Sequence, residues 1–287
     1  MDIYGVIGWP IKHSLSPAMH NAAFKALGIN AEYKLFEVKP EDLEDFLLNR
    51  KDVVGFNITI PHKIKAREIL QKKFHVVKNS PIPYTHYDKM SGAVNTVKRN
   101  GEDLEYCNTD PIGFNFALGD GLKFKTTGKK VLIIGCGGAS RAVVADLTES
   151  GQYIRNIYIY DISKEAIDSA KKYYSNLENK IKFIYDAKEI LELKNEIDLL
   201  VNASPVGMEE GDDRLAVPKD LLHKELYVFD LVYNRETRLF KEASALGSPV
   251  INGKGMLAAQ GAFSFSLWTG KKAPVEIMRK ALSSALK

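Results

Sequence analysis

The stretch KVLIIGCGGASR, residues 130–141, joins a short apolar run to a glycine turn, and an apolar segment at 142–147 follows it. Four apolar residues in a row, closed by Gly135, fit a strand buried on both faces. Gly135 and Gly137 let the chain turn tightly and approach a ligand with backbone alone. Gly138 and Ala139 then open a helix whose unpaired N–H groups favour an anion. Strand, glycine turn and helix in this order begin a dinucleotide-binding unit, with the pyrophosphate at the helix N-terminus. Ser140 stands where that pattern prefers a smaller residue.

The next strand, 157–160, ends at Asp161, about 20 residues beyond the loop, where an acid can accept hydrogen bonds from the adenosine ribose. The carboxylate would repel a 2′-phosphate, and the adjacent Ile162 cannot clamp one, so the local chemistry favours NAD over NADP. The alternative is that Asp161 only shapes the turn while Ser163 caps the next helix. Further strands are expected at 181–185, 198–202, 227–231 and 249–251, with helices between them. Strands alternating with helices imply a Rossmann-type, doubly wound parallel sheet. The polar, glycine-containing stretch 121–129 marks its start, which gives a dinucleotide-binding domain over 118–253.

The chain before it also alternates. Strands are expected at 3–9, 31–38 and 53–60, and helices at 16–27, 40–48 and 61–70. Ser16 is read as the cap of the first helix, Pro17 as its first residue and Gly28 as its stop. Residues 74–85, with Pro81 and Pro83, read as a surface loop. Segments 94–97 and 104–107 flank a hairpin turn at Asn100-Gly101, and Pro111 begins another helix. Tail helices are expected at 255–267 and 274–286. The last has Val275, Met278, Ala281, Leu282 and Ala285 on one face, but periodicity does not say which domain receives it.

One stretch resists a purely structural reading. In Asn57-Ile58-Thr59-Ile60-Pro61-His62-Lys63 a strand runs into a helix start, and Lys63 lands in the first turn, where the helix dipole disfavours a cation. Small polar groups also follow other strands: Ser14 and Ser16, Asn95 and Thr96, and Asn108-Thr109-Asp110. Each has a local explanation as a cap or turn residue. Together they supply hydroxyls, amides, one lysine and one carboxylate, suited to a small polyhydroxylated acid.

Composition narrows the function classes. Of 287 residues 45% are hydrophobic and 26% charged, and 40 basic against 36 acidic residues leave a net charge of +4. Such a balance does not call for nucleic acid or an anionic membrane as partner. No apolar run approaches the ~20 residues of a membrane span, and no signal segment precedes the first strand. The two cysteines, Cys107 and Cys136, and the six histidines show no metal-ligand spacing, so no metal is expected. A cytoplasmic protein, monomeric or homodimeric, with a small-molecule substrate is the expectation.

With these pieces in order along nearly the whole chain, the sequence resembles the shikimate dehydrogenase family. The matching runs are 7–17 (IGWPIKHSLSP), 57–63, 92–96 (GAVNT), 108–110, the glycine loop with Arg141, 202–204, Tyr233 with Thr237, and 253–260 (GKGMLAAQ). The resemblance implies an α/β, two-domain architecture with the active site in the cleft between domains. Residues 1–117, completed by the helices of 254–287, would form the substrate domain. Ser14, Ser16, Thr59, Asn95, Asp110, Tyr233 and Gln260 would hold substrate, and Lys63 with Asp110 would be the catalytic pair. Gly135, Gly137, Gly138, Ala139, Leu231 and Gly253 would line the cofactor, with Asp161 at its ribose. The implied reaction is reversible, nicotinamide-dependent reduction of 3-dehydroshikimate to shikimate, a step of aromatic amino-acid (chorismate) biosynthesis.

Several positions depart from the family pattern. Asp161-Ile162-Ser163 replaces the usual clamp for a 2′-phosphate, Cys136 replaces an alanine, Pro111 a glycine and Arg235 a proline. If NADP were used nonetheless, Arg141 or Lys164 would have to receive its phosphate. The alternatives kept are an NAD-dependent quinate/shikimate dehydrogenase, a non-catalytic dinucleotide or metabolite sensor, and a methyltransferase. The sensor and the methyltransferase leave Lys63 and Asp110 unexplained.

Overall fold

The computed structural model describes residues 1–77, 86–149 and 151–285. The chain divides into two compact units, Met1–Phe114 with Met256–Lys287, and Asn115–Gly255.

Unit 1 begins with β1 (Asp2–Gly8), α1 (Ser16–Ala26), β2 (Ala31–Glu37), α2 (Leu43–Asn49), β3 (Val53–Ile58) and α3 (Lys63–Leu70). It continues with β4 (His75–Val76), α4 (Tyr87–Ser91), β5 (Thr96–Asn100), β6 (Asp103–Cys107) and α5 (Asp110–Gly121), whose second half belongs to unit 2. Its mixed sheet has the order β2-β1-β3-β5-β6-β4. β2, β1 and β3 are parallel, and β5 and β6 form an antiparallel hairpin against β3.

Unit 2 contains β7 (Lys130–Ile134), α6 (Gly138–Leu147), β8 (Asn156–Tyr160), α7 (Lys164–Tyr173), β9 (Ile181–Ile184) and α8 (Glu189–Glu192). It closes with β10 (Leu199–Asn202), β11 (Tyr227–Asp230), α9 (Arg238–Ala245) and β12 (Val250–Asn252). Its strand order is β12-β11-β10-β7-β8-β9, every pair parallel. This is the doubly wound order of a Rossmann sheet, reversing direction beside β7. The chain returns to unit 1 within α10 (Lys254–Thr269) and ends in α11 (Val275–Ala285).

The tail helices complete unit 1, because one face of its sheet would otherwise be bare. Tyr4, Val6 and Tyr33 pack with Met19 and Phe24 of α1, Phe265 and Trp268 of α10, and Met278 and Leu282 of α11. The opposite face takes Ile7, Val53, Phe56 and Ile58 against Leu43, Phe46 and Leu47 of α2 and Ile69 and Leu70 of α3. A Cβ on Gly55 would lie 2.7 Å from the Trp268 ring. Its absence lets the indole rest on β3 and donate to the Val97 carbonyl at 2.9 Å.

Some local expectations need correction. Ser16 is the first residue of α1, not its cap; Leu15 holds the cap position, and no side chain caps it. Pro61 lies ahead of α3 in a turn closed by His62 N–H to Thr59 O, so Lys63 is the first helical residue. Asn100 pairs with Asp103, which moves the hairpin turn to Gly101-Glu102. In the segment read as a loop, His75 and Val76 pair with β6, because its outer edge is open to a short strand. Residues 78–85 lie outside the described residues.

The core of unit 1 holds one uncomfortable group. His20 is fully buried, stacked on Tyr33 with ring centroids 4.3 Å apart and near Trp268 and Phe265. Among the described residues neither ring nitrogen has a hydrogen-bond partner. Desolvation pushes its pKa down from 6.5 to about 3. The unfolded chain therefore takes up a proton below pH 6.5 that the folded chain refuses until near pH 3, and stability falls as pH falls. At pH 5 this costs about 2 kcal/mol. His20→Phe should flatten the decline of urea-unfolding free energy between pH 7 and pH 4; an unchanged slope would refute the account.

Candidate active site

In unit 1 the polar residues converge because of strand direction. β1 and β3 are parallel neighbours, with Ile7 opposite Ile58, so the Ser14–Ser16 loop and the 59–63 turn leave the same sheet edge. Thr59 N–H bonds Ile7 O at 2.9 Å, which ties the two together. β5 runs the other way, and Asn95, just ahead of it, accepts the Ile58 N–H on its carbonyl at 2.8 Å. β6 returns to that edge and delivers Asn108, Thr109 and Asp110. Ligands of open α/β sheets bind at such carboxyl ends.

Lys63 and Asp110 each begin a helix and meet there, with Nζ 2.5 Å from Oδ2 and side chains only 13% and 6% exposed. The other carboxylate oxygen accepts from Asn95 Nδ2 at 2.8 Å. The Asn95 amide has one workable orientation. Its Oδ1 accepts the Thr109 backbone N–H and the Thr96 hydroxyl, both at 2.8 Å, so its NH₂ must face the carboxylate. Gln260 of α10 places Oε1 3.2 Å from Asn95 Nδ2 and 3.3 Å from Thr109 Oγ1. Behind these lie Ser264, 2.8 Å from Thr96 Oγ1, and Asn57, whose NH₂ reaches Ser264 and whose oxygen accepts from Tyr33 OH. A chain of buried hydrogen bonds thus runs from β2 to the Lys63–Asp110 pair.

His62, beside the lysine, is buried with a ring nitrogen 2.7 Å from Val38 O, a packing role that anchors the start of α3. Asn57, Thr96, Thr109 and Ser264 are the residues the sequence reading left without a role. For the first three the signal existed, since each stands in a quoted polar run. Ser264 carries none, lying in a helix buried on nearly all sides.

In unit 2 the glycine loop sits where the sheet reverses. Gly135 has φ 108°, and its N–H bonds Tyr160 O at 2.7 Å. Gly137 and Gly138 lead into α6, and a Cβ on Gly137 would meet open space. Such a cradle of backbone N–H groups with no side chain in the way fits a pyrophosphate. Asp161 follows β8 and accepts from Cys136 N–H at 2.7 Å and Ser163 N–H at 2.9 Å. Ser163 caps α7, accepting from Ala166 N–H, so Asp161 is not needed for that task. Ile162 beside it is 89% exposed. Burial, then Asp161, pushes the Cys136 thiol up to about 12, which makes it a poor nucleophile.

Arg141 is buried between α6 and α7, stacked over Tyr173 at 4.9 Å and donating to Ser169. Its Nε has no hydrogen-bond partner among the described residues, while Lys164 is exposed at the start of α7. Leu231 and Gly253 touch closely, since a Cβ on Gly253 would lie 2.1 Å from Leu231 O. Tyr233 lies on the loop after β11, and Arg235 on the same loop donates to Glu209 O. Among the described residues no group of His, Cys, Asp and Glu is arranged to hold a metal, and no helix is long and apolar enough to cross a membrane.

A Rossmann-type unit and a second α/β unit bearing a buried Lys–Asp ion pair define a two-domain protein of the dinucleotide-binding class. Comparison with known proteins narrows this. Residues 6–80 match the shikimate dehydrogenase substrate binding domain, and residues 253–282 the shikimate 5'-dehydrogenase C-terminal domain. The chain is 40% identical to a shikimate dehydrogenase (NADP(+)) of Methanopyrus kandleri, with 100% of this chain and 96% of that one covered. A crystal structure of a shikimate dehydrogenase in complex with NADP+ superposes with a TM-score of 0.85 at 35% identity, covering 100% and 96% of the two chains. The Listeria monocytogenes shikimate 5-dehydrogenase in complex with shikimate and NAD gives 0.80 at 30% identity, covering 98% and 96%. This chain belongs to the shikimate dehydrogenase family.

Removing Asn95 strands the Thr109 N–H, and a buried unpaired donor costs about 1–3 kcal/mol. Asn95→Ala should lower the urea-unfolding free energy by that amount, whereas no loss would show that Asn95 is not part of a satisfied buried network.

Proposed function

We infer that this chain is a shikimate dehydrogenase, catalysing the reversible, nicotinamide-dependent reduction of 3-dehydroshikimate to shikimate. The observation that carries the reading is the buried Lys63–Asp110 pair at the sheet edge of unit 1. A bound nicotinamide dinucleotide supplies or takes the hydride. In the reducing direction Lys63 Nζ donates a proton to the ketone oxygen as negative charge develops there; in the oxidising direction it accepts the hydroxyl proton. Asp110 orients the ammonium through one oxygen, and Asn95 holds the other. The hydroxyls of Ser14, Ser16 and Thr59 and the amides of Asn95 and Gln260 suit a hydroxylated carboxylic acid, to whose carboxylate hydroxyls can donate.

Unit 2 is read as the dinucleotide domain, with Gly135, Gly137, Gly138 and Ala139 at the pyrophosphate and Asp161 at the adenosine ribose. Leu231 and Gly253 line the rest of its path. The M. kandleri relative is an NADP(+) enzyme by name, and the Listeria structure contains NAD. The residues of this chain support NAD: a carboxylate at 161 and an exposed isoleucine at 162. Lys164 remains as a cation within reach of a phosphate at that turn.

Crossing shikimate and quinate with NAD and NADP, read at the absorbance band of the reduced nicotinamide, tests the whole assignment. Shikimate with NAD should give the highest kcat/KM; preference for NADP would refute the role of Asp161, and no turnover would refute the enzyme. Lys63→Ala should lower kcat by about 10²–10⁴-fold with a much smaller change in shikimate affinity. Equal losses in both would remove Lys63 from the chemistry. Ile162→Arg should raise kcat/KM for NADP by about tenfold, the scale of one added charge-assisted contact.

A further inference from the structure

Thr96 opens β5 and is fully buried, and the mechanism above gives it no task. A hydroxyl has one hydrogen to give. Around that of Thr96 lie Asn95 Oδ1 and Ser264 Oγ at 2.8 Å each, Asn57 Nδ2 at 3.1 Å and Thr109 Oγ1 at 3.3 Å. All of these residues belong to unit 1. Where each hydrogen points follows from the backbone groups at the edge of the network, because a peptide N–H only donates and a peptide carbonyl only accepts.

Two amides are fixed in this way. Asn57 Nδ2 lies 3.1 Å from the Asn95 backbone carbonyl, so that end of Asn57 is its NH₂, and its oxygen accepts the Tyr33 hydroxyl at 2.8 Å. The Thr109 backbone N–H lies 2.8 Å from Asn95 Oδ1, so that end of Asn95 is its oxygen. Thr96 therefore gives its hydrogen to Asn95 Oδ1. The 2.8 Å contact between Thr96 and Ser264 then takes its hydrogen from Ser264, and both hydroxyls accept from the Asn57 NH₂. The order runs one way, from Tyr33 through Asn57 and Ser264 to Thr96, then to Asn95 and on to Asp110 Oδ1. Bonds aligned head to tail polarise one another. Thr96 is where the branches of this order merge before they reach Asn95.

We propose that Thr96 is a positioning residue for the reaction, its hydroxyl locking the Asn95 amide so that Asp110 is held in the orientation that aims Lys63. The proposal rests on the reading of Lys63 and Asp110 given above. The Thr109 N–H decides which end of the Asn95 amide is the oxygen, but a single bond leaves the amide plane free to turn. A second short bond to the same oxygen, from a different residue, removes that freedom. The amide NH₂ then stays directed at Asp110 Oδ1, and a charge-assisted bond of this kind depends on its direction. Small displacements next to a reacting group cost rate out of proportion to their size.

The test measures kcat at saturating shikimate, because Asn95 is also read as a substrate contact. Thr96→Val keeps the shape of the side chain and removes the hydroxyl; it should lower kcat by about five- to tenfold, the scale of one neutral hydrogen bond. Thr96→Ser, which keeps the hydroxyl, should stay within about twofold of the unaltered chain. In an Asn95→Ala background, where no amide is left to lock, Thr96→Val should change kcat by less than about twofold. Unchanged kcat in Thr96→Val, a loss in Thr96→Ser as large as in Thr96→Val, or the same factor of loss with and without Asn95 overturns the proposal in favour of a purely structural hydroxyl. Lys63→Ala separates the two layers. If it leaves kcat unchanged, the reading of Lys63 falls; if it lowers kcat while Thr96→Val does not, the reading of Thr96 falls. Should Thr96→Val fail to fold, Thr96→Ala, which sets no methyl groups against the polar network, takes its place under the same criteria.

Discussion

A lysine and an aspartate held 2.5 Å apart with little exposure set the terms for unit 1. An ion pair taken out of water is tolerated only when the atoms beyond the pair are also satisfied. Lys63 uses one oxygen of Asp110, so the other needs a donor, and Asn95 provides it. Asn95 can do so only if its amide is fixed, which the Thr109 N–H and the Thr96 hydroxyl achieve. Those groups need partners in turn, and the demand propagates to Gln260, Ser264, Asn57 and Tyr33. The network ends where the hydrophobic core of α1, α10 and α11 begins. Chain order follows the same need: helix α10 must return to unit 1 to supply Gln260 and Ser264 as well as Trp268.

Unit 2 obeys a related rule with a different solution. Its all-parallel sheet buries both faces and leaves polar groups only at the strand ends. Two carboxylates stand there. Asp161 faces the glycine loop and holds the Cys136 N–H, while Asp230 gathers the ends of β10 and β11 and the start of α9. Each is satisfied by neutral donors. One is partly exposed; the other is sealed, which suits a fixed support. Chemically identical side chains are thus placed in environments that differ in solvent access.

The sheet of unit 2, its glycine loop and the acid after β8 were legible in the amino-acid order, because each follows from spacing along a local strand–turn–helix unit. The polar runs of unit 1 were legible as runs, and Lys63 stood out for lying against the helix dipole. Local rules failed where tertiary bonds outweighed them. Ser16 has the right chemistry for a cap, yet it sits inside the first turn. Asn100-Gly101 is a fair turn signal, yet cross-strand pairing of Asn100 with Asp103 moves the turn by one residue. Val76 looked like loop until β6 offered an open edge.

Taken alone, the sequence determined the class of most elements, the glycine turn, the candidate pair Lys63 and Asp110, and the acid that follows β8. These depend on periodicity, conformational freedom and charge over a few residues, all of which are written locally. Only the tertiary structure decided that Arg141 is buried over Tyr173 beside Ser169, that Ser264 closes a network with residues more than 150 positions away, and that Asp230 is sealed among neutral donors. Burial and hydrogen-bond geometry are set by which distant segments pack together, and no local pattern carries that information.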